Sequence, residues 1–227
     1  MTLPFLIAIT GGSGSGKSTL ADVLFNRLGP EKVLRFSEDA YYQPREFHGT
    51  DAPLWSAAEM EANVDFDDPR SKDMDLFEDQ LSALKRGESV MQPYYDFELH
   101  DRVMGRHEQL DPRPIIIAEG VHVLSQLRYF DLFDLTVYVD TPPDLRLARR
   151  IMRDTKERGR AVDRVISQYL TYVRPAHGRF TEPAKFRCDL VIQDEGPLAM
   201  LIGKPDKRAQ DRLAAPVWSF LQDEGVV

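Results

Sequence analysis

The sequence predicts an α/β fold of three layers, α/β/α, around a mainly parallel sheet, with a small β-hairpin insertion and an arginine-rich lid. Three observations carry this. Apolar runs at 5–9, 33–36, 115–118 and 135–139 alternate with stretches of helical period, the pattern of a parallel sheet covered on both faces. Residues 11–18, directly after the first run, read Gly-Gly-Ser-Gly-Ser-Gly-Lys-Ser, the G-x-x-x-x-G-K-[ST] pattern of a strand-to-helix loop that cradles phosphate. Eight basic and four acidic side chains lie from Asp144 to Arg164, in a chain of net charge −8, which marks that segment as a cover for polyphosphate.

Each element follows from its local pattern. Leu20, Val23, Leu24 and Leu28 share one face of a helix from Lys17, which Gly29-Pro30 stops. The run 33–36 fits a buried strand. Residues 43–70, rich in Pro, Asp and small side chains, read as irregular with one short helix near 56–62. A helix from about Lys72 turns Phe77, Leu81 and Leu84 inward, and Lys85-Arg86-Gly87 ends it. Residues 89–110 mix aromatics, charges and Gly105 and read as the hairpin. Pro114 precedes Ile115-Ile116-Ile117-Ala118, the most hydrophobic run and the expected central strand. After the strand 135–139, Thr141-Pro142-Pro143-Asp144 predicts an N-cap at Thr141 and a first helical residue at Pro142. Val162, Val165, Ile166, Tyr169, Leu170 and Val173 form an apolar stripe on a later helix, expected to end before Pro175. A last strand at 188–192 and a terminal helix broken near Pro216 complete the chain. One domain is expected over 1–195, holding the hairpin (89–110) and the lid (about 150–163), with 196–227 a divergent segment packed on it.

Composition bounds the class. Hydrophobic content of 42% and charged content of 29% are those of a soluble globular protein. No apolar run approaches a membrane span, and the first strand begins too early to leave room for a signal peptide. The sole cysteine, Cys188, excludes an internal disulfide and suits a reducing cytoplasm, the expected location. The net negative charge argues against nucleic acid as a partner, and no membrane partner is expected.

The loop Gly11, Gly12, Ser13, Gly14, Ser15, Gly16, Lys17, Ser18 and Thr19 implies a bound nucleoside triphosphate. Its glycines let successive N–H groups point at phosphate oxygens, and the helix that follows adds its N-terminal dipole. Lys17 would reach the β- and γ-phosphates and the Ser18 hydroxyl would bind Mg²⁺. Four further groups fall where the carboxyl edge of the sheet is expected. Asp39, just past the second strand, could take a proton from an attacking hydroxyl or hold metal-bound water; it could also simply cap a short helix. Glu119-Gly120 follows the most hydrophobic strand, where an acid helps hold Mg²⁺ through its water shell. The stretch 93–102 packs aromatics, a His and an Arg, which suits either a pocket for a flat polar ring or a hairpin with aromatic cross-strand pairs. The arginines of 149–160 suit a lid, with a solvated helix face as the alternative.

Taken together these motifs resemble the uridine kinase (uridine–cytidine kinase) family, within the wider P-loop NTPase group that includes phosphoribulokinase and pantothenate kinase. The resemblance rests on GGSGSGKST at 11–19, DAYY at 39–42, FDDP at 66–69, PYYDFELH at 93–100, AEGV at 118–121, RRIMRDTKERGR at 149–160 and Gln168-Tyr169. It implies transfer of the γ-phosphoryl group of ATP or GTP to the 5′-hydroxyl of uridine or cytidine. It also implies a homo-oligomer, tetramer or dimer. Residue by residue, Asp39 matches the base on the 5′-hydroxyl, with Lys17 and Arg153 at the transferred group. Tyr42 matches an aromatic wall, Asp67 the ribose carboxylate, and Arg150 and Gln168 further nucleoside contacts. Tyr95 and His100 match readers of the pyrimidine edge. Arg158 and Arg160 match arginines around the triphosphate, and Ser18 and Glu119 the Mg²⁺ site. Three features depart from the pattern: Asp68 stands where the family has His, the segment from Tyr42 to Asp67 is longer and contains Trp55, and the tail after Ile192 diverges.

A related kinase for ribulose 5-phosphate or pantothenate is the alternative. A phosphorylated acceptor needs an extra basic group near Asp39, and Arg45 is the one nearby candidate in the sequence. A regulatory GTPase would need an N-K-x-D, which is absent. A non-catalytic nucleotide sensor would leave Asp39 and Glu119 together unexplained.

Overall fold

The structure, a computed structural model, describes residues 3–194 and 207–227. Its strands are β1 (Phe5–Thr10), β2 (Val33–Ser37), β3 (Val90–Asp96), β4 (Asp101–Leu110), β5 (Ile115–Glu119), β6 (Leu135–Asp140) and β7 (Leu190–Gln193). Five of them form one sheet in the order β2-β5-β1-β6-β7, parallel at every pairing. β5 is therefore interior, as its sequence demands, while β1 holds the centre. β3 and β4 make a separate antiparallel hairpin.

The helices are α1 (Lys17–Leu28), α2 (Ala57–Asn63), α3 (Met74–Lys85), α4 (Leu127–Phe130), α5 (Pro143–Glu157), α6 (Val162–Gln168) and α7 (Lys207–Asp223). Strand alternation divides the core between the sheet's two faces. Leu6, Ala8, Phe36 and Ile116 pack with Phe77, Leu81 and Leu84 of α3. Ile7, Ile9, Ile115 and Val137 pack on the other face with Leu20 and Leu24 of α1 and with Leu213, Val217 and Leu221 of α7. Both faces are dry, so the strand sequences are apolar throughout rather than alternating.

Four expectations are corrected. Thr141 is not an N-cap: α5 begins at Pro143 after Pro142, and the Thr141 hydroxyl instead donates to the carbonyl of Ser15 at 2.8 Å. The helix after Ala161 does not end before Pro175. Its backbone widens into π turns at Tyr169–Val173 and His177–Thr181, with Pro175 between them, and the wider turn relieves the clash of the ring with the preceding carbonyl. The predicted stripe there splits: Val165, Tyr169 and Val173 are buried, while Val162, Ile166 and Leu170 are exposed, because only one row meets the domain. Pro216 does not break α7. It lies on the helix's exposed face, as does Arg212, so the carbonyl it leaves without a donor can be hydrated. The expected boundary at 195–196 lies outside the described residues. Among the described residues no helix is long and apolar enough to cross a membrane.

Candidate active site

The loop after β1, the turn after β2 and the end of β5 meet at the carboxyl edge of the sheet, where open α/β folds bind ligands. Gly16 takes a left-handed φ of +93° at the N-cap of α1. Gly14, at φ +79°, has no room for a side chain: a Cβ would stand 2.5 Å from the backbone oxygen of Arg146. With the Thr141 hydroxyl on Ser15, these contacts press the start of α5 against the loop. Lys17 and Ser18 are the first two residues of α1, and the Ser18 hydroxyl donates to Glu119 Oε2 at 2.9 Å. Burial pushes the Glu119 carboxyl up, although Lys17 draws it down.

Two chambers open here. One is walled by Gly14, Gly16 and Thr19 of the loop and by Arg149, Met152 and Lys156 of α5. The other is walled by Asp39, Tyr42, Asp67, Tyr95, His100 and Gln168, with Arg158 and Arg160 from the arginine segment. Lys17, Arg150 and Arg153 border both. Most of the residues singled out from sequence thus line two adjoining cavities; Gly11, Gly12 and Ser15 lie behind that lining in the loop, and Glu119 is joined to it through Ser18.

Asp39 stands in the second chamber beside a lysine that no motif indicated. Lys72 Nζ lies 2.6 Å from Glu38 Oε1 and 2.7 Å from Asp39 Oδ1, and its side chain is fully buried. Burial alone would push the Asp39 carboxyl up, but Lys72, Lys17 and Arg158 outweigh it and hold it at about 2. Even so, 54% of the Asp39 side-chain surface opens into the cleft. Glu38 is buried and accepts from the backbone N–H groups of Val121 and His122, so it ties the turn after β2 to the turn after β5. This is why residue 120 is glycine: a Cβ there would stand 2.1 Å from Glu38 Cδ. Arg45 is not the basic group beside Asp39; it bonds the carbonyls of Trp55 and Leu99 and braces the inserted segment. Lys72 takes that position, but with two carboxylates on it and no exposed surface it offers no free charge to an acceptor.

Asp154, fully buried, gathers the arginine segment: Arg150, Arg153, Arg158 and Arg160 all lie within 4 Å of its carboxylate. Arg150 further donates to Ser13 Oγ at 2.9 Å and to Gln168 Oε1 at 2.7 Å, joining the loop to α6. On the far wall Tyr42 packs against Tyr95 (ring centroids 5.0 Å apart), Phe66 and Phe97. Tyr95 and His100 reach one chamber because the ladder shifts register between Pro93 and Tyr95 and His100 turns the chain at φ +51°. Asp68 stays outside that chamber; its carboxylate caps the turn Pro69–Ser71 and pairs with Arg70. Trp55 packs against Ala52, Met60 and Val64 in a small core of the inserted segment. That segment also brings Glu61, absent from every motif, to His100 and Arg160. A short helix was legible there, but no spacing rule connects Glu61 with its partners.

The fold and its loop are those of the P-loop kinases. It superimposes on a phosphoribulokinase from Rhodobacter spheroides with a TM-score of 0.59 at 19% identity, covering 84% of this chain and 70% of that one. A D-glycerate 3-kinase from Cryptococcus neoformans gives 0.57 at 16% identity, with 80% of each chain covered. The model of the Phosphoribulokinase / Uridine kinase family matches residues 6–198, and the chain belongs to this family. Its relatives include a uridine kinase of Clostridium tetani, 40% identical over 193 residues (85% of this chain, 88% of that one). A uridine kinase of Geobacillus kaustophilus is 36% identical over 224 residues, 99% of this chain and 98% of that protein.

Proposed function

We propose that this protein transfers the γ-phosphoryl group of ATP or GTP to the 5′-hydroxyl of uridine or cytidine, as a cytoplasmic enzyme of pyrimidine salvage. The observation that carries the reading is the junction of the two chambers at Lys17, Arg150 and Arg153, with the Asp39 carboxylate on the acceptor side. The nucleotide occupies the loop chamber, its phosphates on the backbone of 11–16 and on Lys17, and its γ-phosphoryl group at the junction. Asp39 accepts the proton of the 5′-hydroxyl as that oxygen attacks the γ-phosphorus, and the bond to the β-phosphate oxygen breaks. Lys17, Arg153, Arg158 and Arg160 neutralise charge as it spreads over the transferred group. Asp67 holds the ribose, Arg150 and Gln168 make further contacts to the nucleoside, and Tyr42, Tyr95 and His100 hold the base.

Ser18 and Glu119 would hold Mg²⁺, a hydroxyl and a carboxylate already 2.9 Å apart at the loop, and the ion would balance phosphate charge. Among the described residues no cluster of three or more His, Cys, Asp or Glu forms a metal cage, which suits an ion completed by nucleotide oxygens and water. The reading extends to a homo-oligomer, tested by light scattering on the purified protein. The decisive assay is steady-state phosphorylation with MgATP or MgGTP across uridine, cytidine, adenosine, guanosine, ribulose 5-phosphate and pantothenate. Turnover confined to either of the last two would sink the nucleoside reading while leaving a P-loop kinase.

A further inference from the structure

Glu61 belongs to α2, whose start is fixed by a capping box in which Ser56 and Glu59 bond each other's backbone N–H groups. A single oxygen, Glu61 Oε1, takes two partners, Arg160 Nη2 at 2.6 Å and His100 Nε2 at 3.1 Å. The two come from different walls of the acceptor chamber. Arg160 ends the arginine segment, where its backbone N–H donates to the Asp154 carbonyl at 3.0 Å and its Nη1 lies 3.3 Å from Asp154 Oδ2. His100 sits in the hairpin turn under the ring of Phe66, with centroids 5.0 Å apart and planes 30° apart. Its left-handed backbone is one that a non-glycine residue adopts only under constraint. The burial of Glu61 opposes ionisation, yet His100 and Arg160 together hold its carboxyl below the ordinary range.

An ionised carboxylate can only accept. His100 must therefore keep its proton on Nε2, toward Glu61, so Nδ1 is the nitrogen left for a ligand. In the same chamber the Tyr95 hydroxyl is buried without a protein partner. A ring entering beside Tyr95 meets an imidazole whose orientation and tautomer are set by Glu61, and the same oxygen fixes an arginine of the phosphate end.

We propose that Glu61 is a positioning residue that couples reading of the acceptor's ring by His100 to the seating of Arg160 at the transferred group. The proposal rests on the nucleoside kinase reading. Without the carboxylate the imidazole is free to rotate or exchange its tautomer, and Arg160 keeps Asp154 alone. Ring recognition and charge stabilisation then become independent events, because the one atom they share is gone.

The test compares wild type with Glu61→Ala and Glu61→Gln, measuring kcat and KM for uridine, cytidine and MgATP, with thermal unfolding to verify the fold. Glu61→Ala is expected to raise the nucleoside KM about tenfold, the scale of one lost hydrogen bond to a charged group, and to lower kcat several-fold. The KM for MgATP stays within twofold. Glu61→Gln can still accept from Nε2 but has no charge for Arg160, so it restores the nucleoside KM more than kcat. The effects of His100→Ala and Arg160→Ala are non-additive in the wild-type background and multiply independently in Glu61→Gln. A slowly exchanging imidazole proton, visible by NMR in wild type, is lost in Glu61→Ala. Turnover of nucleosides with unchanged KM, unchanged non-additivity and the same imidazole proton in these variants would overturn the coupling alone. A wild-type protein that phosphorylates no nucleoside overturns the functional reading and the coupling with it.

Discussion

Lys72 and Asp39 are joined by a 2.7 Å ion pair in which the ammonium is fully buried and the carboxylate faces the cleft. The pair binds the turn after β2 to the segment leading into α3, two residues before its start, and Glu38 extends it to the turn after β5. A buried charge with its partner removed is costly, so both acids near the cleft depend on one lysine.

Lys72→Met is expected to destabilise the fold by about 3–5 kcal/mol, the scale for breaking a buried ion pair, and urea unfolding measures it. In the active fraction the acidic limb of the kcat/KM profile moves to higher pH, because Asp39 loses the largest of the charges that hold it at about 2. The stability sign follows from the same depression. Asp39 contributes stability that is fully present above its unfolded pKa of 3.8, and that is lost as pH falls toward about 2. A Lys72→Met protein as stable as wild type, with an unmoved acidic limb, would show the pair to be incidental.

Asp39→Asn should lower kcat by about 10²–10⁴, the range for a positioned general base, with nucleotide affinity within a few-fold of wild type. Stopped-flow turnover and nucleotide titration separate the two effects. An unchanged kcat with weakened nucleotide binding would reassign Asp39 to the donor side.

Lys17→Ala and Ser18→Ala remove, respectively, the phosphate-facing charge and the hydroxyl paired with Glu119. Each is expected to cut turnover by about 10²–10³ at saturating MgATP, on the scale of losing one electrostatic contact to the transition state. Activity of Lys17→Ala within a few-fold of wild type contradicts the phosphate-loop assignment.

Arg158→Ala leaves Asp154 with three arginines and opens the cleft to water. The expected outcome is a lower kcat and a higher ratio of ATP hydrolysis to phosphoryl transfer. The ratio is read from ADP formed against nucleotide product; wild-type transfer would return this arginine to the solvated surface.

Uridine and cytidine should be phosphorylated far better than adenosine or guanosine, since a chamber built on hydrogen bonds rejects rings that leave its polar groups unpaired. His100→Ala then raises the KM for the pyrimidine nucleoside and not for ATP. Equal kcat/KM for purine and pyrimidine nucleosides would refute this division of labour.

The phosphate loop, the parallel strands and the order of the motifs were legible in the sequence because each is a local pattern. Four glycines and a lysine after an apolar run dictate a strand, an anion-binding turn and a helix, whatever surrounds them. The run 115–118 announced a strand dry on both faces. What local pattern cannot carry is pairing between distant residues. Lys72 looked like the start of a helix, and Glu61 like one more acid in an acidic loop. Their meaning comes from chain separations of 33 residues to Asp39 and 39 to His100, closed only when the inserted segment folds over the sheet edge. Thr141 likewise had the sequence of a cap, but its hydroxyl found the Ser15 carbonyl across the loop, a partner supplied by packing alone. Periodicity also predicts both rows of an apolar stripe without saying which will find a surface. Tertiary structure covered Val165, Tyr169 and Val173 and left Val162, Ile166 and Leu170 exposed. Local sequence thus determined the strands, the loop and the chemistry they carry, because those depend on backbone preference and short-range hydrogen bonds. The partners of each charge were decided by the tertiary fold, because burial sets which charges must pair and only the closed chain sets which can.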